Sequence, residues 1–161
     1  MARKTLHSVA SAAILILLAA GVRAESTPDF ALPSLADGNQ RLSEYRSEVV
    51  VVTFLSPGCL PCRDSVRFAT ELRDEFTEGL SVLAVTVAED PAFARGFVKK
   101  LDIDFPMLLD RDGEAAAQFD LNRSSMTVVV DQEGNIVFLE QGFAPDSSDR
   151  IRQLVSGLLA A

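Results

Sequence analysis

Val49-Val50-Val51-Val52-Thr53-Phe54-Leu55-Ser56-Pro57-Gly58-Cys59-Leu60-Pro61-Cys62 is the stretch on which the reading of the whole chain turns. Its first half is an unbroken β-branched and aromatic run, the pattern of a strand buried on both faces of a helix-covered sheet. Pro57-Gly58 stops the run. From Leu60 to about Glu78 the apolar residues Val66, Phe68, Ala69, Leu72 and Phe76 recur at helical spacing, and Gly79 closes the element. Both cysteines of the chain therefore fall where a buried strand hands over to a helix. Unpaired N–H groups and the positive end of the helix dipole favour an anion there. Cys59 is accordingly expected to be a reactive thiolate, with Cys62 one turn on. Pro61 suits a first helical turn, where its missing N–H loses nothing.

Downstream, Leu80 to Val87 reads as a second buried strand. Pro91 opens a helix with Phe93, Phe97, Val98 and Leu101 as its apolar stripe. Pro106 to Leu109 is a short strand, and Glu114 to Phe119 a small helix. Met126–Val130 and Ile136–Glu140 flank Asp131 to Asn135 as a β-hairpin, and Asp146 to Leu159 forms a last amphipathic helix. Upstream, Glu25 to Pro33 is polar, Gly38-Asn39 marks a turn, and Arg41 to Ser47 leads into the valine run. The order β-α-β-α-β-α-β-β-α predicts an α/β fold: a central mixed sheet with helices on both faces and an antiparallel pair contributed by the hairpin.

The first residues read as an export signal. Arg3 and Lys4 precede an apolar run from Val9 to Gly21, and Val22-Arg23-Ala24 offers small residues for cleavage after Ala24. A retained membrane tether is the other reading, although about thirteen apolar residues fall short of the roughly 20 that a span needs. Residues 1–24 are thus a signal or anchor and 25–161 one domain, placed outside the cytoplasm, in a periplasm or its equivalent. Losing Arg3, Lys4 and Arg23 would move the formal charge from −8 to −11. Such an acidic surface argues against nucleic acid and anionic membranes as partners. The same cleavage removes His7, the one histidine, and with it any His-dependent base or ligand.

Two cysteines cannot supply the four ligands of a structural zinc site, so no metal is expected. Nor do they make an effective staple, because a bridge closing so short a loop hardly constrains the unfolded chain. Dithiol–disulfide exchange is the favoured use, with an inert bridge as the bland alternative.

On these residues the chain resembles the TlpA/ResA-like branch of the thioredoxin superfamily, within the wider redoxin group that includes peroxiredoxins. Pro28-Asp29-Phe30-Ala31-Leu32-Pro33 is similar to the family's N-terminal hook. Leu42-Ser43-Glu44-Tyr45-Arg46 with the valine run resembles its first buried strand, and Ser56 to Arg63 its active site. Phe105 to Gly113 and Thr127 to Gly134 resemble its later core. The resemblance implies a thioredoxin-like fold in which Cys59 attacks and Cys62 resolves, supported by Pro57, Gly58 and Pro61. It also implies disulfides of exported proteins as substrates, a membrane electron donor to keep the dithiol reduced, and no cofactor.

Departures from that family bear on tuning. Gly58 stands where members usually carry Trp. Ser125 falls where the family has a cis-proline beside the dithiol; a non-proline cis bond costs about 2.5–4 kcal/mol, so a trans bond or a rearranged loop is expected. Ser125 and Met126 are read as a substrate-docking loop. Thr53 and Ser65 occupy positions where a carboxylate usually moves the resolving thiol's proton, leaving Asp64 or Glu89 as substitutes. Two other functions share the fold. A peroxidase would draw on Ser56 and Arg123, and a binding or Cu(I)-delivery module would use the thiolates with little catalysis.

Overall fold

The computed structural model describes residues 27–161 apart from 37, 89, 122 and 123; the signal-like segment, Glu89 and Arg123 lie outside the described residues. Seven strands and four helices follow in the order β1 (Ala31–Pro33), β2 (Asn39–Arg41), β3 (Val49–Leu55), α1 (Cys62–Glu75), β4 (Leu80–Thr86), α2 (Pro91–Leu101), β5 (Met107–Leu109), α3 (Glu114–Ala117), β6 (Met126–Val130), β7 (Ile136–Gln141) and α4 (Ser147–Leu159).

The main sheet runs β5-β4-β3-β6-β7, with β3 in its centre. β3 pairs in parallel with β4, and β4 with β5, as helical crossovers require. β6 joins the other side of β3 antiparallel, and β7 pairs antiparallel with β6. All seven residues of β3 are buried. Val49, Val51 and Leu55 enter a core shared with α1, α2 and α4, and Val50, Val52 and Phe54 enter a second core with Phe30, Leu42, Phe119 and α3. This is the two-sided burial that the unbroken apolar run predicts. The second core is braced by Phe30, Phe54 and Phe119, whose ring centroids lie 5.1–6.4 Å apart.

The sequence reading missed β1 and β2. They form a small antiparallel hairpin of three residues a side, too short to show a period. Behind it, a Ser34–Leu108 bridge and the Leu35 N–H to Met107 carbonyl bond (2.9 Å) cover the β5 edge. Arg41–Ser47, read as a lead-in, holds a 3-10 turn over Leu42–Tyr45. Asp29 fastens this segment, accepting from the Ser43 N–H (2.9 Å), the Ser43 hydroxyl (3.0 Å) and Arg41 (3.3 Å). No helix among the described residues is long and apolar enough to cross a membrane.

Candidate active site

β3 ends at Leu55, and the chain turns through Ser56-Pro57-Gly58 before α1 begins. Gly58 has φ +76°, and a Cβ there would meet nothing within 4 Å. Glycine is therefore needed for its backbone conformation and not for space. The turn is closed by the Cys59 N–H donating to the Ser56 carbonyl at 3.2 Å.

α1 starts at Cys62, two residues later than the apolar spacing predicts. Pro61 is its N-cap, and the Pro61 carbonyl accepts from the N–H groups of Asp64 (3.1 Å) and Ser65 (3.0 Å). The N–H groups of Cys62 and Arg63 have no carbonyl one turn back to bond. They leave positive partial charge at the dithiol.

Cys59 and Cys62 are joined as a disulfide, their Cα atoms 5.6 Å apart, within the ordinary range for such a bridge. The two sulfurs are not equivalent. Cys62 is 2% exposed and packs in the first core, whereas Cys59 is only partly buried. Leu60 between them is 91% exposed. Cys62 Sγ lies 3.9 Å from the Ser56 carbonyl oxygen.

Around this pair the structure places the other residues singled out from the sequence. Ser125 stands one step beyond the Phe54–Met126 pair, and its carbonyl accepts from the Gly142 N–H at 2.7 Å. No cis peptide occurs among the described residues, so the bond at Ser125 is trans. Its side chain is fully buried and hydrogen bonded to Ser65 Oγ at 3.1 Å. Ser65 Oγ also lies 3.1 Å from the Pro61 carbonyl. Met126 is fully buried in the second core and paired with both Phe54 and Gln141, so neither residue of the expected docking loop is exposed at the surface. Thr53 is buried and faces Thr127 across the β3–β6 ladder. Asp64 is 62% exposed and 3.9 Å from Arg67, a solvated surface pair.

Two hollows flank Pro57 that sequence reasoning did not anticipate. One, of about 540 Å³, is lined by Pro57, Val87, Asp90, Phe93 and Arg111 among others. The other, of about 460 Å³, runs over Ser56, Val87, Ala117 and Leu121. Their residues come from four separate segments, so no local pattern signals them. No group of acids, cysteines or histidines among the described residues is arranged to hold a metal ion.

The Redoxin family model matches residues 23–154. Thiol-disulfide oxidoreductase ResA of Geobacillus kaustophilus is 28% identical over 112 residues, covering 69% of this chain and 64% of the relative. Thioredoxin-like protein YneN of Bacillus subtilis is 29% identical, over 73% of this chain and 71% of the relative. The chain thus spans just under two thirds of the ResA relative's length. Among solved structures, the Chlorobium tepidum protein assigned as thiol:disulfide interchange protein DsbE superposes with a TM-score of 0.79 at 24% identity, covering 84% of this chain and 96% of that one. The exposed lipoprotein thioredoxin Etrx1 of Streptococcus pneumoniae superposes with a TM-score of 0.70 at 26% identity, covering 81% and 100%.

Proposed function

The chain belongs to the Redoxin family, in its ResA-like branch with a thioredoxin-like fold, and from that premise we propose that it is an extracytoplasmic thiol–disulfide oxidoreductase acting on disulfides of exported proteins. The observation that carries the reading is the asymmetric pair at the start of α1: a partly open Cys59 and a buried Cys62, already closed into a disulfide.

In the reduced protein the Cys59 thiolate attacks one sulfur of a substrate disulfide. The Cys59–substrate S–S bond forms, the substrate's own S–S bond breaks, and the departing thiolate takes a proton. Cys62 then loses its proton and attacks Cys59 Sγ, closing the Cys59–Cys62 bridge and releasing the second substrate thiol. Two electrons pass from the dithiol to the substrate, and a membrane electron donor restores the dithiol.

The surroundings suit these roles. N-terminal N–H groups of α1 stabilise the Cys59 thiolate. The Ser56 carbonyl is an acceptor within reach of the reduced Cys62 thiol. With Thr53 and Ser65 neutral, no carboxylate at those positions collects the Cys62 proton, so the resolving step is expected to be the slow one. Leu60, Pro57 and the two flanking hollows supply apolar surface for an unfolded substrate segment. Export would rest on the N-terminal signal-like residues.

Trapping decides the matter. A Cys62→Ser variant should accumulate mixed disulfides on Cys59 when exposed to exported proteins, and Cys59→Ser should not. Equal trapping by both variants, or by neither, would remove the exchange reading.

A further inference from the structure

A groove of about 500 Å³ opens between α2, the Ile103–Met107 approach to β5 and the Ser34–Ala36 segment. It shares no lining residue with the dithiol turn or with the hollows beside Pro57. Its size is that of a small-molecule pocket. Ile103, Phe105 and Met107 are buried beneath it and Val98 is half-buried, giving an apolar floor.

The rim is cationic. Arg95 and Lys99 lie one helical turn apart on α2, both exposed, and neither has an ion-pair partner among the described residues. Lys99 sits in the last turn of α2, where a cation suits the helix dipole, whereas Arg95 one turn before it gains nothing from that end and faces a like charge. The carboxylate of the lining, Asp104, pairs with Arg73, which it shares with Asp74, and not with Arg95 or Lys99. A chain of net charge −8 thus carries, over an apolar floor, two cations with no ion-pair partner among the described residues.

The backbone of the wall narrows the occupant. The N–H groups of Ser34, Leu35 and Ala36 are spent on the Gly38 carbonyl (2.9 Å), the Met107 carbonyl (2.9 Å) and Ser34 Oγ (3.2 Å). A polypeptide seeking a strand edge finds those donors used. A ligand needing only apolar contact and a countercharge does not require them.

We infer that this groove binds a small carboxylate with a linear apolar body, its head between Arg95 and Lys99 and its chain along Val98, Ile103, Phe105 and Met107. The inference uses none of the residues of the redox reading and stands or falls apart from it.

The test is titration of the full chain with sodium octanoate, followed by calorimetry and by backbone amide shifts. Saturable one-to-one binding is expected, with shifts at the groove and not at the dithiol, and 1-octanol binding at least tenfold more weakly. The R95Q/K99Q double variant should weaken octanoate about tenfold. Ala36→Glu, at an exposed rim position that cannot unfold the core, should abolish binding. Equal affinity for octanol, no effect of the double variant, or no saturation would overturn the proposal. So would binding of a terminally capped acidic apolar hexapeptide where octanoate fails, which would give the groove to a polypeptide.

Discussion

Ser65 Oγ and Ser125 Oγ are hydrogen bonded at 3.1 Å, with Ser125 fully buried and Ser65 1% exposed. Sixty residues apart in sequence, they join the helix that carries Cys62 to the loop beside the turn that carries Cys59. A hydroxyl has one proton. If Ser65 gives its own to the Pro61 carbonyl, Ser125 donates to Ser65, and both groups are satisfied.

Ser65→Ala is therefore expected to destabilise by about 1–3 kcal/mol, because it strands a buried hydroxyl at Ser125. Ser65→Ala/Ser125→Ala should cost less than the sum of the two single changes, since both partners leave together. Denaturant midpoints of the four proteins complete the cycle, and strict additivity would show that the bond contributes nothing.

At Gly58 the expected cost is one of conformation alone. Gly58→Ala should lose about 1–2 kcal/mol, because φ +76° is unfavourable for any residue with a Cβ. Open space around the position means that Gly58→Trp should cost no more than Gly58→Ala. A much larger loss for Trp would reveal a steric limit.

Burial separates the thiols kinetically. After reduction, iodoacetamide should label Cys59 well before Cys62, as read by peptide mass spectrometry over a time course. Comparable labelling rates would contradict the assignment of attacking and resolving sulfurs.

Acid should loosen the N-terminal hook. Burial raises the Asp29 pKa, but hydrogen bonds from the Ser43 N–H, the Ser43 hydroxyl and Arg41 outweigh it and hold the carboxyl below its ordinary 3.8. The folded value being the lower one, the contribution is fully present above about pH 4 and is lost as pH falls through the folded pKa. With the carboxylate 42% exposed and screened by solvent, Asp29→Asn should cost no more than about 1 kcal/mol at neutral pH and progressively less in acid. A pH-independent difference between the two proteins would refute the linkage.

Thr86 Oγ1 is buried with no hydrogen-bond partner among the described residues. Thr86→Val keeps the shape and removes the stranded hydroxyl, so stability should rise by about 1 kcal/mol, read as a higher unfolding midpoint. A fall would mean that the hydroxyl is satisfied in solution.

The valine run, the placement of Cys59 and Cys62 at its end, and the β-α alternation were legible because each rests on neighbours in sequence: burial on two faces imposes a continuous apolar strand, and a helix imposes its spacing. On those features the chain alone determined the α/β class, the order of the main elements and the place of the cysteine pair. The small β1–β2 hairpin, the start of α1 at Cys62 and the antiparallel seating of β6 on β3 came only with the tertiary structure. So did the inward turn of Ser125 onto Ser65, the difference in burial between the two sulfurs and the groove under Arg95 and Lys99. Each of these depends on segments distant in sequence meeting across a sheet or a loop, and no local periodicity encodes which face a short segment will find.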